Sequence, residues 1–125
     1  DWGSHMIEHE LSGIYDIAHG AGLSVIFPAW MQYVYKIDIN RFMQFAIRVM
    51  DVDMPFEAPE KIAQEGIRRL KSFYSEIGLP VSLRELNIPG DRFEEMAQKG
   101  VKYGELGNFK KLHKEDILKI LNIAL

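Results

Sequence analysis

Residues 5–20 read His5-Met6-Ile7-Glu8-His9-Glu10-Leu11-Ser12-Gly13-Ile14-Tyr15-Asp16-Ile17-Ala18-His19-Gly20 and hold three of the chain's four histidines. Ile7, Leu11, Ile14 and Tyr15 recur at helical spacing, which predicts a helix over about His5–Asp16. His5 and His9 stand four residues apart and share one face of it. On a straight helix His19 would lie ~21 Å from His5, at 1.5 Å per residue. A metal–imidazole bond is only ~2.0–2.1 Å. His5 and His19 can therefore share an ion only if the chain reverses between them. Asp16, Gly20 and Gly22 offer a break, so a helix–turn–helix with both histidines facing inward is feasible.

Outward from this stretch, Gly and Pro divide the rest of the 125 residues into further helices. A second helix is predicted over about Gly20–Lys36. It is apolar nearly all round, as a buried central helix would be, and Pro28 inside it predicts a bend or an early first turn. Asp38 can cap a third helix reaching about Met50, with Phe42, Phe45, Ala46 and Val49 inward. Asp51–Ala58 reads as a loop. Pro59 suits the first turn of a fourth helix, with Ile62, Gly66, Ile67, Leu70, Phe73, Tyr74 and Ile77 along one stripe. Gly78 ends it and Pro80 forbids its continuation. Asp91 with Glu94 has the spacing of a capping box and opens a short helix carrying Phe93, Met96, Ala97 and Val101. Lys114–Leu125 closes the chain, with Ile117, Leu118, Leu121 and Leu125 on one side. No segment sustains period-two alternation. The fold class is all-α, a bundle of five to six helices in one domain, 1–125.

Composition narrows the function. Hydrophobic residues make up 47%, enough for a real core. Lys+Arg 15 against Asp+Glu 18 gives a net charge of −3, which excludes the strongly basic footprint of a general nucleic-acid binder. Without cysteine there is neither a disulfide nor a thiolate metal site. The longest apolar stretch, Gly22–Met31, falls far short of the ~20 residues that span a bilayer. A cytoplasmic location is the expectation.

The histidines are the chemical signal. Two at i,i+4 spacing are a weak metal signal alone, and a catalytic zinc usually takes three protein ligands plus an open position. His5 and His19 supply two; His9 is a third, or further ligands come from outside this chain. Other features read as structural. His113 is a cap or surface residue. Lys110, Lys111 and Lys114 form a small solvated cluster. Trp30, Tyr33 and Tyr35 belong to core or interface. Besides an enzyme part, two further classes fit the pattern: a stand-alone helical metal-binding module using His5, His9 and His19, and a metal-free helical interaction domain.

The pattern His-x3-His-x9-His-Gly, here His5, His9 and His19-Gly20, resembles the signature of the iron-activated (group III) alcohol dehydrogenases. Asp1-Trp2, Glu8-His9-Glu10-Leu11-Ser12 and Tyr15-Asp16-Ile17 resemble the butanol-dehydrogenase-like branch of that family. So do His19-Gly20-Ala21-Gly22-Leu23, Phe27-Pro28-Ala29-Trp30, Gly107-Asn108-Phe109 and Lys114-Glu115-Asp116-Ile117. The resemblance runs over essentially the whole chain. It implies the C-terminal helical domain of a dehydroquinate-synthase-like two-domain fold, with a divalent metal in the cleft beside an N-terminal dinucleotide-binding domain. The metal, iron(II) first and zinc the alternative, usually has one Asp and three His ligands in this family. Two of those histidines match His5 and His19. His9 matches a histidine beside nicotinamide and substrate that is not normally a ligand, and it is the candidate catalytic residue. Histidine titrates near neutrality, which suits a proton relay. Each ligating imidazole should donate its other N–H to an acceptor, and Glu8, Glu10 and Asp16 are the carboxylates available.

The resemblance further implies a metal that polarises the oxygen of a small alcohol or aldehyde, NAD(P) bound mainly by the other domain, and a homodimer. The upstream Asp and His ligands are absent here, and no Gly-rich phosphate loop follows a strand. The expectation is a fragment, inactive alone and binding neither metal nor cofactor tightly. Gly3-Ser4-His5-Met6 matches a common expression-tag remnant. Because Asp1-Trp2 precede it, the stretch reads as native.

Overall fold

The computed structural model describes residues 1–53 and 58–125. Six α-helices are present among them: α1 (Gly3–Tyr15), α2 (His19–Val34), α3 (Ile39–Arg48), α4 (Pro59–Glu76), α5 (Phe93–Gly100) and α6 (Lys114–Ala124). Short 3-10 turns cover Tyr35–Asp38 and Arg84–Leu86. The described residues contain no strand, only an isolated antiparallel bridge between Leu106 and Leu112. None of the described helices is long and apolar enough to cross a membrane.

α2 is the centre of the bundle. It packs against α1, α4 and α6, and Val25, Ile26, Ala29, Trp30, Met31 and Val34 are all buried along it. The apolar surface that made it read as central is thereby removed from water, the main driving force of the fold. Pro28 lies inside α2, so one intrahelical donor is missing there. α2 stops at Val34 and the chain tightens into the 3-10 turn before Asp38. The Asp38 carboxylate then caps α3, accepting from the Arg41 N–H at 3.2 Å. α3 and α4 approach closely at Ala46 and Gly66: a Cβ at Gly66 would sit 2.8 Å from the Ala46 Cα. Pro59 occupies the first turn of α4, and Gly78, at φ 85°, follows its end. Of the loop expected over Asp51–Ala58, positions 54–57 lie outside the described residues.

Several local expectations are corrected. α1 begins at Gly3, with Gly3 and Ser4 buried in its first turn. The Asp1 carboxylate explains the earlier start: it accepts from the N–H groups of Gly3 (2.7 Å), Asn108 (2.6 Å) and Phe109 (2.5 Å). One side chain thus ties the helix to a loop a hundred residues away, so this stretch is integral to the fold. Asp91 and Glu94 do not form a capping box. α5 starts at Phe93 with Arg92 in the cap position, one residue too late for Asp91, which accepts from the Tyr15 hydroxyl at 3.2 Å instead. The reciprocal acid lies at α6, where Asp116 accepts from the His113 N–H at 2.8 Å. His113 is the cap residue of α6, and its exposed ring lies 3.7 Å from Glu105. The lysines expected to be solvated are partly paired, Lys110 with Asp116 at 3.1 Å and Lys114 with Glu94.

Trp30 and Tyr35 are core residues as expected, and Gln64 donates to the Tyr35 hydroxyl at 2.9 Å. Tyr33 donates to Asp116 at 2.5 Å. Burial and this bond to a carboxylate push the Tyr33 phenol up to about 12. Desolvation opposes the Asp116 charge, but the bonds from Tyr33, the His113 amide and Lys110 outweigh it and lower its pKa.

Candidate metal centre

The turn between α1 and α2 decides where the histidines go. Asp16 ends α1 in the left-handed conformation (φ 50°, ψ 46°), and its N–H reaches back to the Ser12 carbonyl. Asp tolerates that conformation better than most residues. Ile17 and an extended Ala18 complete the reversal, and His19 is the first residue of α2. Gly20 and Gly22, expected to help break the chain, lie inside α2 instead.

His5 and His9 on α1 thus face His19 across a three-residue connection. The His5 and His19 ring centres are 5.6 Å apart, and those of His9 and His19 are 5.3 Å apart. Two imidazoles that share an ion at ~2.0–2.1 Å per bond place their ring centres roughly 5–6 Å apart, since each centre lies about one ångström behind its nitrogen. The convergence of His5 and His19, expected from the need for a reversal, is present in the fold. Candidate ligand atoms of Glu8, His9 and His19 lie within 4.8 Å of one another, and His5 is not part of that tighter group.

Glu8 is the residue the spacing alone could not single out. It is 0% exposed. Its Oε1 accepts from the Ser12 hydroxyl, one turn along α1, and its Oε2 meets His19 Nδ1. Gly22 faces it from α2, with no side chain to fill the space the carboxylate occupies. The available signal was the position of Glu8 between Ile7 and the i+4 Ser12, on the buried side of α1. Glu10 is only half-buried and Asp16 is exposed at the helix end.

His5 differs from His19. Its Nδ1 is buried with no hydrogen-bond partner among the described residues, and the Trp2 ring packs edge-on at 5.0 Å. A buried polar nitrogen left unsatisfied costs about 1–3 kcal/mol. Beside His5, a cavity of about 320 Å³ is lined by Leu23, Phe27, Tyr74 and Leu79. Burial raises the Tyr74 phenol above its ordinary value.

This donor set fits a divalent cation. Imidazoles without thiolates suit borderline ions such as iron(II) and zinc. The ring separations match a shared ion, and one buried imidazole nitrogen has no partner among the described residues.

The fold and the cluster define an all-helical domain whose first hairpin gathers three imidazoles at its surface. Residues 1–125 match the family described as Fe-containing alcohol dehydrogenase family, C-terminal, and the chain belongs to it. It is 40% identical over its whole length to probable NADH-dependent butanol dehydrogenase 1 of Bacillus subtilis, of which it covers 32%. It is 38% identical to probable NADH-dependent butanol dehydrogenase 2 of the same organism, also over all of this chain and 33% of the relative. Among solved structures, NADH-dependent butanol dehydrogenase A from Thermotoga maritima superposes with a TM-score of 0.90 at 35% identity, over 99% of this chain and 33% of that one. The chain therefore spans about a third of the length of these relatives.

Proposed function

We propose that this chain is the metal-cleft part of an NAD(P)-dependent alcohol dehydrogenase that interconverts a small alcohol and its aldehyde. The observation that carries the reading is the approach of His5 and His19 to 5.6 Å across the α1–α2 turn, in a chain of this family. His5 and His19 would hold the ion, iron(II) or alternatively zinc, together with an Asp and a His from outside these 125 residues. A bound divalent cation supplies Lewis-acid polarisation of the substrate oxygen. The domain's residues orient and shield. His19 keeps Nδ1 toward Glu8, which leaves Nε2 to face the cleft. Leu23, Phe27, Tyr74 and Leu79 offer apolar contact to a short carbon chain. His9 is exposed one turn beyond His5 and relays a proton between the site and bulk water. The dinucleotide is bound mainly by the other domain, where the choice between NADH and NADPH is made, and the assembled enzyme is a homodimer in the cytoplasm.

Turnover with butanal tests the reading. The 125-residue chain with NADH or NADPH and added iron(II) or zinc should show none. The same chain joined to its nucleotide-binding half should show metal-dependent turnover. Metal-dependent turnover by this chain alone would overturn the two-domain assignment. One observation favours a second reading: the compact grouping of Glu8, His9 and His19 suits a module in which His9 is itself a ligand.

A further inference from the structure

A carboxylate is a costly group to bury unless its charge is matched by hydrogen bonds, yet Glu8 is 0% exposed. Both its oxygens are engaged, Oε1 by the Ser12 hydroxyl and Oε2 by His19 Nδ1. Room for it exists only because residue 22 is glycine: a Cβ there would lie 2.6 Å from the Glu8 Cγ and 2.8 Å from its Cδ. Three positions on two helices are thus arranged around one imidazole nitrogen. The His19 side chain is 47% exposed, so one edge of the ring is held inside while the rest faces out. A carboxylate can only accept. A neutral ring facing an ionised Glu8 would carry its proton on Nδ1, the reverse of the tautomer that free imidazole side chains favour in water.

We propose that Glu8 is a positioning residue. It fixes His19 as the Nδ1–H tautomer with the Nε2 lone pair turned to the cleft, and Gly22 is the backbone position that makes this possible. In this reading Glu8 acts through His19 and not as a ligand, despite its closeness to His9 and His19, because it is 0% exposed and its oxygens are turned to Ser12 and His19. The inference rests on the reading of His19 as a ligand, and the test separates the two.

Long-range nitrogen–proton correlation NMR of the metal-free 125-residue chain, at a pH where the imidazoles are neutral, reads the tautomer directly. Wild type should show His19 with its proton on Nδ1; a proton on Nε2 overturns the proposal without need of any variant. Glu8→Met should move the proton to Nε2. Glu8→Gln, whose carbonyl still accepts, should keep it on Nδ1. Gly22→Ala should reproduce Glu8→Met although every histidine and Glu8 itself are present.

Zinc titration of the chain joined to its nucleotide-binding domain, where the full proposed ligand set is present, forms the second arm. Zinc should perturb His5 and His19, with affinity falling ~10–100-fold in Glu8→Met, the usual effect of losing a group that orients a ligand. Equal affinity in wild type and Glu8→Met counts against the positioning role. If zinc perturbs neither histidine while the Nδ1 proton is present, the ligand reading fails and the Glu8–His19 pairing stands.

Discussion

Gly22 of α2 lies directly against the carboxyl group of Glu8 on α1, so closely that a β-carbon at position 22 would fall 2.8 Å from the Glu8 Cδ. Replacing a helix-interior glycine by alanine ordinarily stabilises by up to ~1 kcal/mol. Here the added methyl has to displace a buried carboxylate held at both oxygens, and overpacking of this kind costs about 1–3 kcal/mol. The second effect is the larger. Gly22→Ala should lower stability by about 1–2 kcal/mol in urea unfolding. A variant more stable than wild type would mean that Glu8 moves aside freely.

A second pair of glycines gives opposite signs within one experiment. Gly66 of α4 meets backbone: its β-carbon would stand 2.8 Å from the Ala46 Cα and 3.4 Å from the Ala46 nitrogen. Backbone atoms cannot swing away as a side chain can, so Gly66→Ala should cost about 1–3 kcal/mol by forcing α3 and α4 apart. Gly13, in the last turns of α1, has nothing within 4 Å of its would-be β-carbon. Gly13→Ala should add about 0.5–1 kcal/mol. Thermal unfolding of both variants checks the contrast, and destabilisation by Gly13→Ala would count against the free space assigned there.

These close approaches mark the boundary of what sequence alone conveys. Helix positions were legible because apolar spacing is a local signal, and Asp38, Pro59 and Gly78 act within one turn of themselves. The start of α1 was not legible, because Asp1 fixes it by bonds to Asn108 and Phe109, and no local pattern encodes a contact over that separation. Asp91 misled for a related reason: the spacing to Glu94 was suitable, but a cap needs the acid at the residue where the helix begins, and that residue is Arg92.

The histidine pairing was legible because sharing one ion would require a reversal between His5 and His19, and the sequence offers a break there. Choosing Glu8 over Glu10 and Asp16 needed the rotation of α1 against α2, which spacing does not specify. Gly22, read as a possible break, is better explained as clearance for Glu8, a fact that exists only between the two helices.

Acid should weaken the clamp between α4 and the segment that follows α3 in a defined window. Glu65 accepts from Arg68 at 2.7 Å and from Arg69 at 2.9 Å, while Arg69 also donates to the Met50 and Asp51 carbonyls. Hydrogen bonds from Arg68, then Arg69, lower the Glu65 pKa from 4.5 to about 2. The folded-state value lies below the unfolded one, so the contribution is fully present above 4.5 and is lost as pH falls toward about 2. Partly exposed pairs of this type contribute ~0.2–1 kcal/mol. Glu65→Gln should therefore be less stable than wild type by about 0.5–1 kcal/mol at neutral pH, and the difference should vanish near the lower limit. A difference that stays constant across this range in urea unfolding would rule out the linkage.

His5 and His9 are assigned different roles, and ring proximity alone does not separate them: His9 lies 5.3 Å from His19 and His5 lies 5.6 Å from it. Their surroundings do differ. His5 has a buried Nδ1 with no partner among the described residues. His9 is exposed, as a residue exchanging protons with water must be. On the proposed reading, His5→Ala removes a ligand from the assembled two-domain enzyme, so metal content and turnover should fall together. His9→Ala should leave the metal nearly intact and reduce the rate by ~10²–10⁴, the usual span of general acid–base contributions. Metal analysis of the two purified variants decides between the assignments. If His9→Ala loses metal as completely as His5→Ala, His9 is a ligand, and the grouping of Glu8, His9 and His19 becomes the better description of the centre.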